Sequence, residues 1–237
     1  MKKIIASVAL MLLFGFNAHA EKGINVGVSL SAGVFEVDGA KETFTGSHSS
    51  GAGATVTKKA SDEGDVAEGL FAIGSIFIEK TLGDRLSIGL DYVPTSLDSE
   101  TAENITNKAG SGGTADGNHV DSAATNTVQV DFEDLTTLYA MININENVYL
   151  KAGVMQVDVQ TNENLGTGSS YGNTQLDGTM FAIGYSRDLD NGAFVRLEGS
   201  IMEFDGATLT STVDSAKSVS VDGIEGYGAK LSIGKTF

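Results

Sequence analysis

The stretch EGYGAKLSIGKTF, Glu225 to Phe237, decides the fold. Tyr227, Ala229, Leu231, Ile233 and Phe237 share one face with Lys235, while Gly226, Gly228, Lys230, Ser232, Gly234 and Thr236 take the other. One apolar face and one small polar face, repeating every second residue, is the side-chain period of a strand; a helix repeats at 3.6. The same alternation opens the chain's other end, with Ile24, Val26, Val28, Leu30, Ala32 and Val34 against Asn25, Gly27, Ser29, Ser31 and Gly33.

Between these ends six further strands are expected, near Glu68 to Lys80, Arg85 to Leu97, Thr127 to Ile144, Val148 to Val159, Leu176 to Arg187 and Ala193 to Leu209. Two of them are irregular. Both faces are apolar around Gly74, and Met155, Val157 and Val159 stand on the opposite parity to Val148, Leu150 and Val154, a phase change that a bulge would repair. Eight strands is an even number, as a single-chain bacterial barrel requires; two short strands hidden in Asp38 to Asp65 or Asp98 to Asn126 would make ten.

The links alternate in length. Leu82-Gly83-Asp84, Asn145-Glu146-Asn147 and Asp188 to Gly192 are short, whereas Asp38 to Asp65, Asp98 to Asn126, Asn162 to Gln175 and Gly206 to Asp222 are long and rich in Gly, Ser, Thr, Asn and Asp. Short periplasmic turns and long outer loops are the habit of outer-membrane barrels, which puts both termini on the periplasmic side.

Residues 1–20 read as a secretory leader: Lys2 and Lys3, an apolar run from Ile4 to Phe16, then Ala18-His19-Ala20, with the mature domain expected over 21–237. Of 15 basic residues two lie in this leader, leaving 13 against 31 acidic ones, a balance that repels nucleic acid. Cysteine is absent, so neither disulfides nor thiolate metal sites are available. Beyond the leader no apolar run is long enough for a spanning helix, so entry into a membrane requires a closed barrel that satisfies every backbone group.

With its alternating terminal strand and C-terminal Phe237, the chain resembles the small Gram-negative outer-membrane β-barrel family, the group containing the outer membrane protein A-type eight-stranded barrel. The resemblance implies an all-β, antiparallel up-and-down transmembrane barrel and an assembly signal at Tyr227, Leu231, Ile233 and Phe237 read by the barrel-assembly machinery. It also implies contact with outer-membrane lipids and lipopolysaccharide, and an extracellular partner met through the loops. Aromatic residues are only 7% of the sequence, and thin girdles are expected from Tyr92, Tyr149, Tyr185, Tyr227, Phe132, Phe194 and Phe237.

With the apolar faces turned outward, Arg85, Lys151, Arg196 and Lys230 are expected inside with Asp91, Asp131, Glu133 and Glu198, joined by Glu79 if its strand is so phased. A barrel this narrow has room for side chains and little more, so a plug of salt bridges is the first reading. A gated path, in which a pair such as Arg196 and Glu133 opens, makes a narrow porin-like channel the alternative. Catalysis is not expected: His48 and His119 lie in long loops without a strand to position an imidazole. Asp188-Leu189-Asp190-Asn191-Gly192 has the oxygens of a calcium-loop fragment but lacks the closing acid, and Asn-Gly is a hairpin turn. No cofactor or metal is expected, an outer-leaflet enzyme and a soluble secreted β-protein are further alternatives, and the function expected is a structural or surface-interaction role through the long acidic extracellular loops.

Overall fold

A computed structural model describes residues 23–38, 41–45, 55–59, 67–99, 102–108, 122–165 and 170–237. Residues 1–22, where the leader and the start of the mature domain are expected, and much of the long links lie outside these residues. The described strands, in chain order, are β1 (Ile24–Asp38), β2 (Lys41–Thr45), β3 (Thr55–Lys59), β4 (Ala67–Leu82), β5 (Leu86–Tyr92) and β6 (Leu97–Asp98). They continue as β7 (Ala102–Lys108), β8 (Ser122–Asn143), β9 (Val148–Leu165), β10 (Thr174–Asp188), β11 (Ala193–Thr210) and β12 (Lys217–Thr236).

Eight of them form a ring in the order β1, β4, β5, β8, β9, β10, β11, β12, every neighbour is antiparallel, and β12 pairs back on β1 from Asn25↔Thr236 to Asp38↔Gly223. The fold is therefore a closed eight-stranded barrel. Strands do lie in both segments that raised the possibility of ten, yet neither enlarges the ring. β6 and β7 follow β5 along β8, and the β2–β3 hairpin hangs on the far end of β12 through Lys217↔Phe44 to Ser220↔Lys41. The two ends of the chain close on each other: Ile24 N–H donates to Phe237 O at 3.0 Å and Phe237 N–H to Ile24 O at 2.9 Å.

The short links do what their residues allow. Gly83, Asn191 and Gly192 turn with positive φ, and Asn145 Oδ1 accepts the N–H groups of Asn147 and Val148, both at 2.9 Å, closing a three-residue link. All three short links lie at the same end as the joined termini.

Val28, Leu30, Ile76, Phe181, Ile183, Leu197, Ile201, Leu231 and Ile233 form an exposed apolar band around the outside, so the alternation reflects a barrel whose outer face is apolar. On β12 the band runs between outward Lys235 and outward Glu225. Ten residues at about 3.3 Å each, tilted by about 40°, span a height of roughly 25 Å. At its upper edge four outward glutamates from adjacent strands stand in one register row, Glu68↔Glu36↔Glu225↔Glu203.

One irregularity resets the pattern. Between Glu133↔Asp158 and Thr136↔Gln156, β8 carries one residue more than β9, and Asp134 takes a φ of 55°. The bulge is thus on β8; none is needed on β9. Along β9 the inward positions run Tyr149, Lys151, Met155, Val157 and Val159 without a change of phase. What changes is the character of the interior, from charged near the short links to apolar farther up. The apolar residues on both faces around Gly74 have the same origin, because Phe71 and Phe77 point in while Leu70 and Ile76 point out.

Candidate functional site

The lower interior is the densest collection of polar chemistry in the barrel. Glu79 on β4 is 1% exposed and receives four hydrogen bonds: Arg196 Nη1 at 2.5 Å, Arg196 Nη2 at 2.9 Å, Tyr139 OH at 2.8 Å and Asn25 Nδ2 at 3.0 Å. Arg196 on β11 therefore grips the carboxylate with both ends of its fork, the geometry in which a guanidinium binds most strongly. Its cationic carbon lies 4.3 Å from the centre of the Phe194 ring, which offers the charge a second attraction.

A second pair, Lys151 with Glu198, lies beside the first, and Tyr149 OH donates to Glu198 Oε2 at 3.1 Å. Lys151 Nζ also sits 4.6 Å from the centre of the Tyr139 ring. The third pair joins Lys230 Nζ to Asp91 Oδ2 at 3.0 Å. In each pair the partners come from strands that are not neighbours in the ring: Lys151 and Glu198 reach over β10, and the other two pairs reach across two intervening strands, so all three tie the wall together through the lumen.

The structure brings together Asp91, Lys151, Arg196, Glu198 and Lys230, and adds Glu79. Three other expected lumen charges are elsewhere. Arg85 is exposed in the turn that starts β5. Asp131 and Glu133 face outward, because the bulge at Asp134 turns Val130 and Phe132 inward against the upper core. Asp131 Oδ2 accepts from Asn162 at 2.5 Å, and Glu133 accepts from Gln160. Arg196 thus pairs with Glu79, not with Glu133.

The girdle expectation changes in the same way. Tyr149 and Phe194 are buried and Phe132 packs on the upper core, leaving Tyr185, Tyr227 and Phe237 exposed and Tyr92 half-buried. The inward rings need flat ground, and glycines supply it. A Cβ on Gly184 would lie 2.1 Å from Tyr149 Cζ, and one on Gly89 would lie 2.5 Å from Tyr139 Cζ. Phe204 on Gly178 and Phe35 on Gly226 repeat the device higher up. Each of these glycines is the seat of an aromatic ring on a neighbouring strand.

Above the ion pairs, Met155, Val157, Val159, Leu176, Met180, Phe204 and Ile224 form a buried apolar cluster joined by Phe35, Val37, Val130, Phe132, Leu135 and Met202. Phe35 packs on Phe71 with ring centres 4.6 Å apart. Among the described residues no group of three or more His, Asp or Glu has metal-binding geometry. His48 and His119 lie outside the described residues.

No family model and no curated protein matches the chain. Among solved structures it is similar to the outer membrane protein OprG from Pseudomonas aeruginosa, with 9% identity, 91% of this chain and 96% of that chain covered, and a TM-score of 0.44. It is also similar to the outer membrane protease OmpT from Escherichia coli, with 14% identity, 94% and 99% covered, and a TM-score of 0.37. A third is Ail, the attachment invasion locus protein of Yersinia pestis, with 8% identity, 87% and 98% covered, and a TM-score of 0.31.

Proposed function

We propose that the chain is an integral outer-membrane barrel with a closed interior, acting at the cell surface through the part that rises above the membrane. The observation that carries this reading is the filled lumen: crossed ion pairs below and an apolar core above, inside an exposed apolar band of hydrocarbon height. Lys80, Arg187 and Lys235 mark the lower edge of the band and the glutamate row its upper edge. β8 runs for 22 residues and β12 for 20, about twice the 9–11 needed to cross a bilayer.

The upper half of the barrel therefore stands clear of the lipid. Its outer wall carries carboxylates paired with carboxamides, Asp177 with Gln156 at 2.8 Å and Asp158 with Gln175 at 2.6 Å beside the pairs of Asp131 and Glu133. This acidic wall is the surface offered to an extracellular partner, while the apolar band meets lipid and the glutamate row meets the lipopolysaccharide headgroups. The interior carboxylates are engaged by cations and hydroxyls, which supports a non-enzymatic role. On this reading the termini and short turns face the periplasm, and Tyr227, Leu231, Ile233 and Phe237, all exposed on the outer face, are the residues that the assembly machinery would read. Deleting Phe237 is expected to lower the yield of heat-modifiable barrel in membranes; an unchanged yield removes the assembly role.

Conductance across a planar bilayer tests the closed interior. Purified wild type is expected to give no stable steps. Steps that vanish in Arg196→Met or Glu198→Gln would establish the narrow channel instead.

A further inference from the structure

We propose that the lower edge of the apolar band binds an anionic glycerophospholipid, phosphatidylglycerol, whose headgroups seat between Arg187, Lys235 and Lys80. This preference rests on the membrane reading above and adds to it a choice among lipids. Arg187 faces outward on β10, Lys235 on β12 and Lys80 on β4. The three therefore occupy alternate strands of one arc, with β11 and β1 between them.

They also stand at one height. A row of paired residues climbs as it follows the ring: Leu82↔Leu86↔Ile142↔Leu150↔Ile183↔Gly199↔Ala229↔Ala32↔Ala72 returns to β4 ten residues above its start. Spread over eight tilted strands, the climb is a little over one residue per strand. The row of Arg187 passes through Val195 to Ile233, two strands on, so Lys235, two residues lower on β12, is level with Arg187. The row of Lys80 passes through Ile24 to Phe237, so Lys80 is level with the residue two above Phe237, which is again Lys235. Strands about 4.8 Å apart leave roughly 10 Å between successive cations.

What these cations lack is an anion. Inside the barrel Lys151, Arg196 and Lys230 each hold a carboxylate, whereas none of Arg187, Lys235 and Lys80 makes an ion pair among the described residues. Arg187 and Lys235 are exposed and Lys80 is half-buried. Asp84, Asp188 and Asp190 lie beneath them at the turns, and below the glutamate row no outward position of β10, β11, β12, β1 or β4 carries an acid. Lys235 Nζ lies 5.4 Å from the centre of the Phe237 ring, a pairing of cation and aromatic suited to headgroup level. Ala193, paired opposite Lys235 on β11, leaves room between the two longer cations on either side of it. Cations bordering hydrocarbon attract a phosphate at the same depth. A zwitterionic headgroup brings its own ammonium to that phosphate; phosphatidylglycerol leaves it free for the protein.

The chain has no tryptophan, so a single one introduced reports its own lipid neighbours. Leu197→Trp puts it on β11 above the gap between Arg187 and Lys235, and Val28→Trp puts it on β1 above the gap between Lys235 and Lys80; both positions are exposed in the band. The full barrel is folded into vesicles of phosphatidylcholine and phosphatidylglycerol in which one lipid or the other carries brominated chains, and quenching gives their relative affinity. Phosphatidylglycerol is expected to be preferred about 5–20-fold at both probes, and less in high salt. Arg187→Gln should lower the preference about 3–5-fold at the Leu197→Trp probe and by less than about 2-fold at the Val28→Trp probe; Lys80→Gln should do the reverse, and Lys235→Gln should lower both. Equal quenching by the two lipids overturns the proposal, as does an equal fall at both probes when Arg187 alone is replaced, which is the mark of diffuse surface charge. Quenching by neither lipid would show that the band does not meet hydrocarbon, and would overturn the membrane reading as well.

Discussion

The lower and upper halves of the barrel interior are enclosed by the same eight strands and filled in opposite ways. Below, Glu79, Arg196, Lys151, Glu198, Asp91 and Lys230 form three cross-lumen pairs capped by Tyr139 and Tyr149. Above, Phe35, Phe204, Met155, Met180, Leu176 and Ile224 pack without a charge. Burying a charge pair exchanges hydration for attraction at little net gain, whereas burying a methionine or phenylalanine gains about 1.5–3 kcal/mol. The difference teaches where each half is fragile: the lower half depends on every partner being present, and the upper half depends only on volume.

The largest effect should come from stranding a charge. Arg196→Met leaves Glu79 with only Tyr139 and Asn25, and is expected to destabilise the barrel by about 3–5 kcal/mol. Replacing Glu79 as well, in Arg196→Met with Glu79→Met, should recover at least half of that loss. Urea unfolding in lipid vesicles measures both. A double variant as unstable as the single one would show that the lower half is held by shape and not by charge.

Met180→Ala probes the other half, with an expected loss of about 2–3 kcal/mol for a buried side chain whose cavity the neighbouring methionines partly refill. Combined with Arg196→Met it should be additive to within about 0.5 kcal/mol, because the two residues share no partner. Strong coupling would mean that the interior is one unit and the division into halves is wrong.

Gly184→Ala tests the contact on which the lower half rests. The new methyl would collide with the Tyr149 ring, which is 1% exposed and bonded to Glu198, so the ring can neither stay nor move freely. An overpacking loss of about 1–3 kcal/mol is expected in the same unfolding assay. Gly199→Ala is the control, since nothing lies within 4 Å of its added Cβ.

All eight ring strands were legible because their outer faces alternate from Val26 to Ile233 against an almost uniformly apolar exterior. The interior was legible only where it is charged. Lys151, Arg196, Glu198, Lys230 and Asp91 stand out against outward apolar neighbours, and a period of two assigns them inward. Where the interior becomes apolar, Met155, Val157 and Val159 look like an outer face, and the pattern cannot tell a change of filling from a change of phase. Bulges are hidden for the same reason. Asp134 and Leu135 are ordinary strand-length residues until a partner strand counts one fewer opposite them.

Glu133 gives the smallest expected effect and the sharpest check on the bulge. Carried through without a bulge, the period of two puts Glu133 inside on the same face as Tyr139, where neutralising it would strand a cation and cost several kcal/mol. With one extra residue at Asp134 it faces outward on the upper wall beside Gln160, where water and a carboxamide serve a carboxylate and its amide alike. Glu133→Gln is therefore expected to change unfolding free energy by less than about 0.5 kcal/mol, as for surface substitutions in general. Deleting Asp134 should restore the unbulged register, drive Val130 and Phe132 outward and bring Glu133 into the apolar half. In that background the Glu133→Gln replacement should become stabilising, because an unpaired carboxylate inside would be worse than an amide. A replacement that stays neutral with Asp134 deleted would show that the bulge does not set the upper parity of β8.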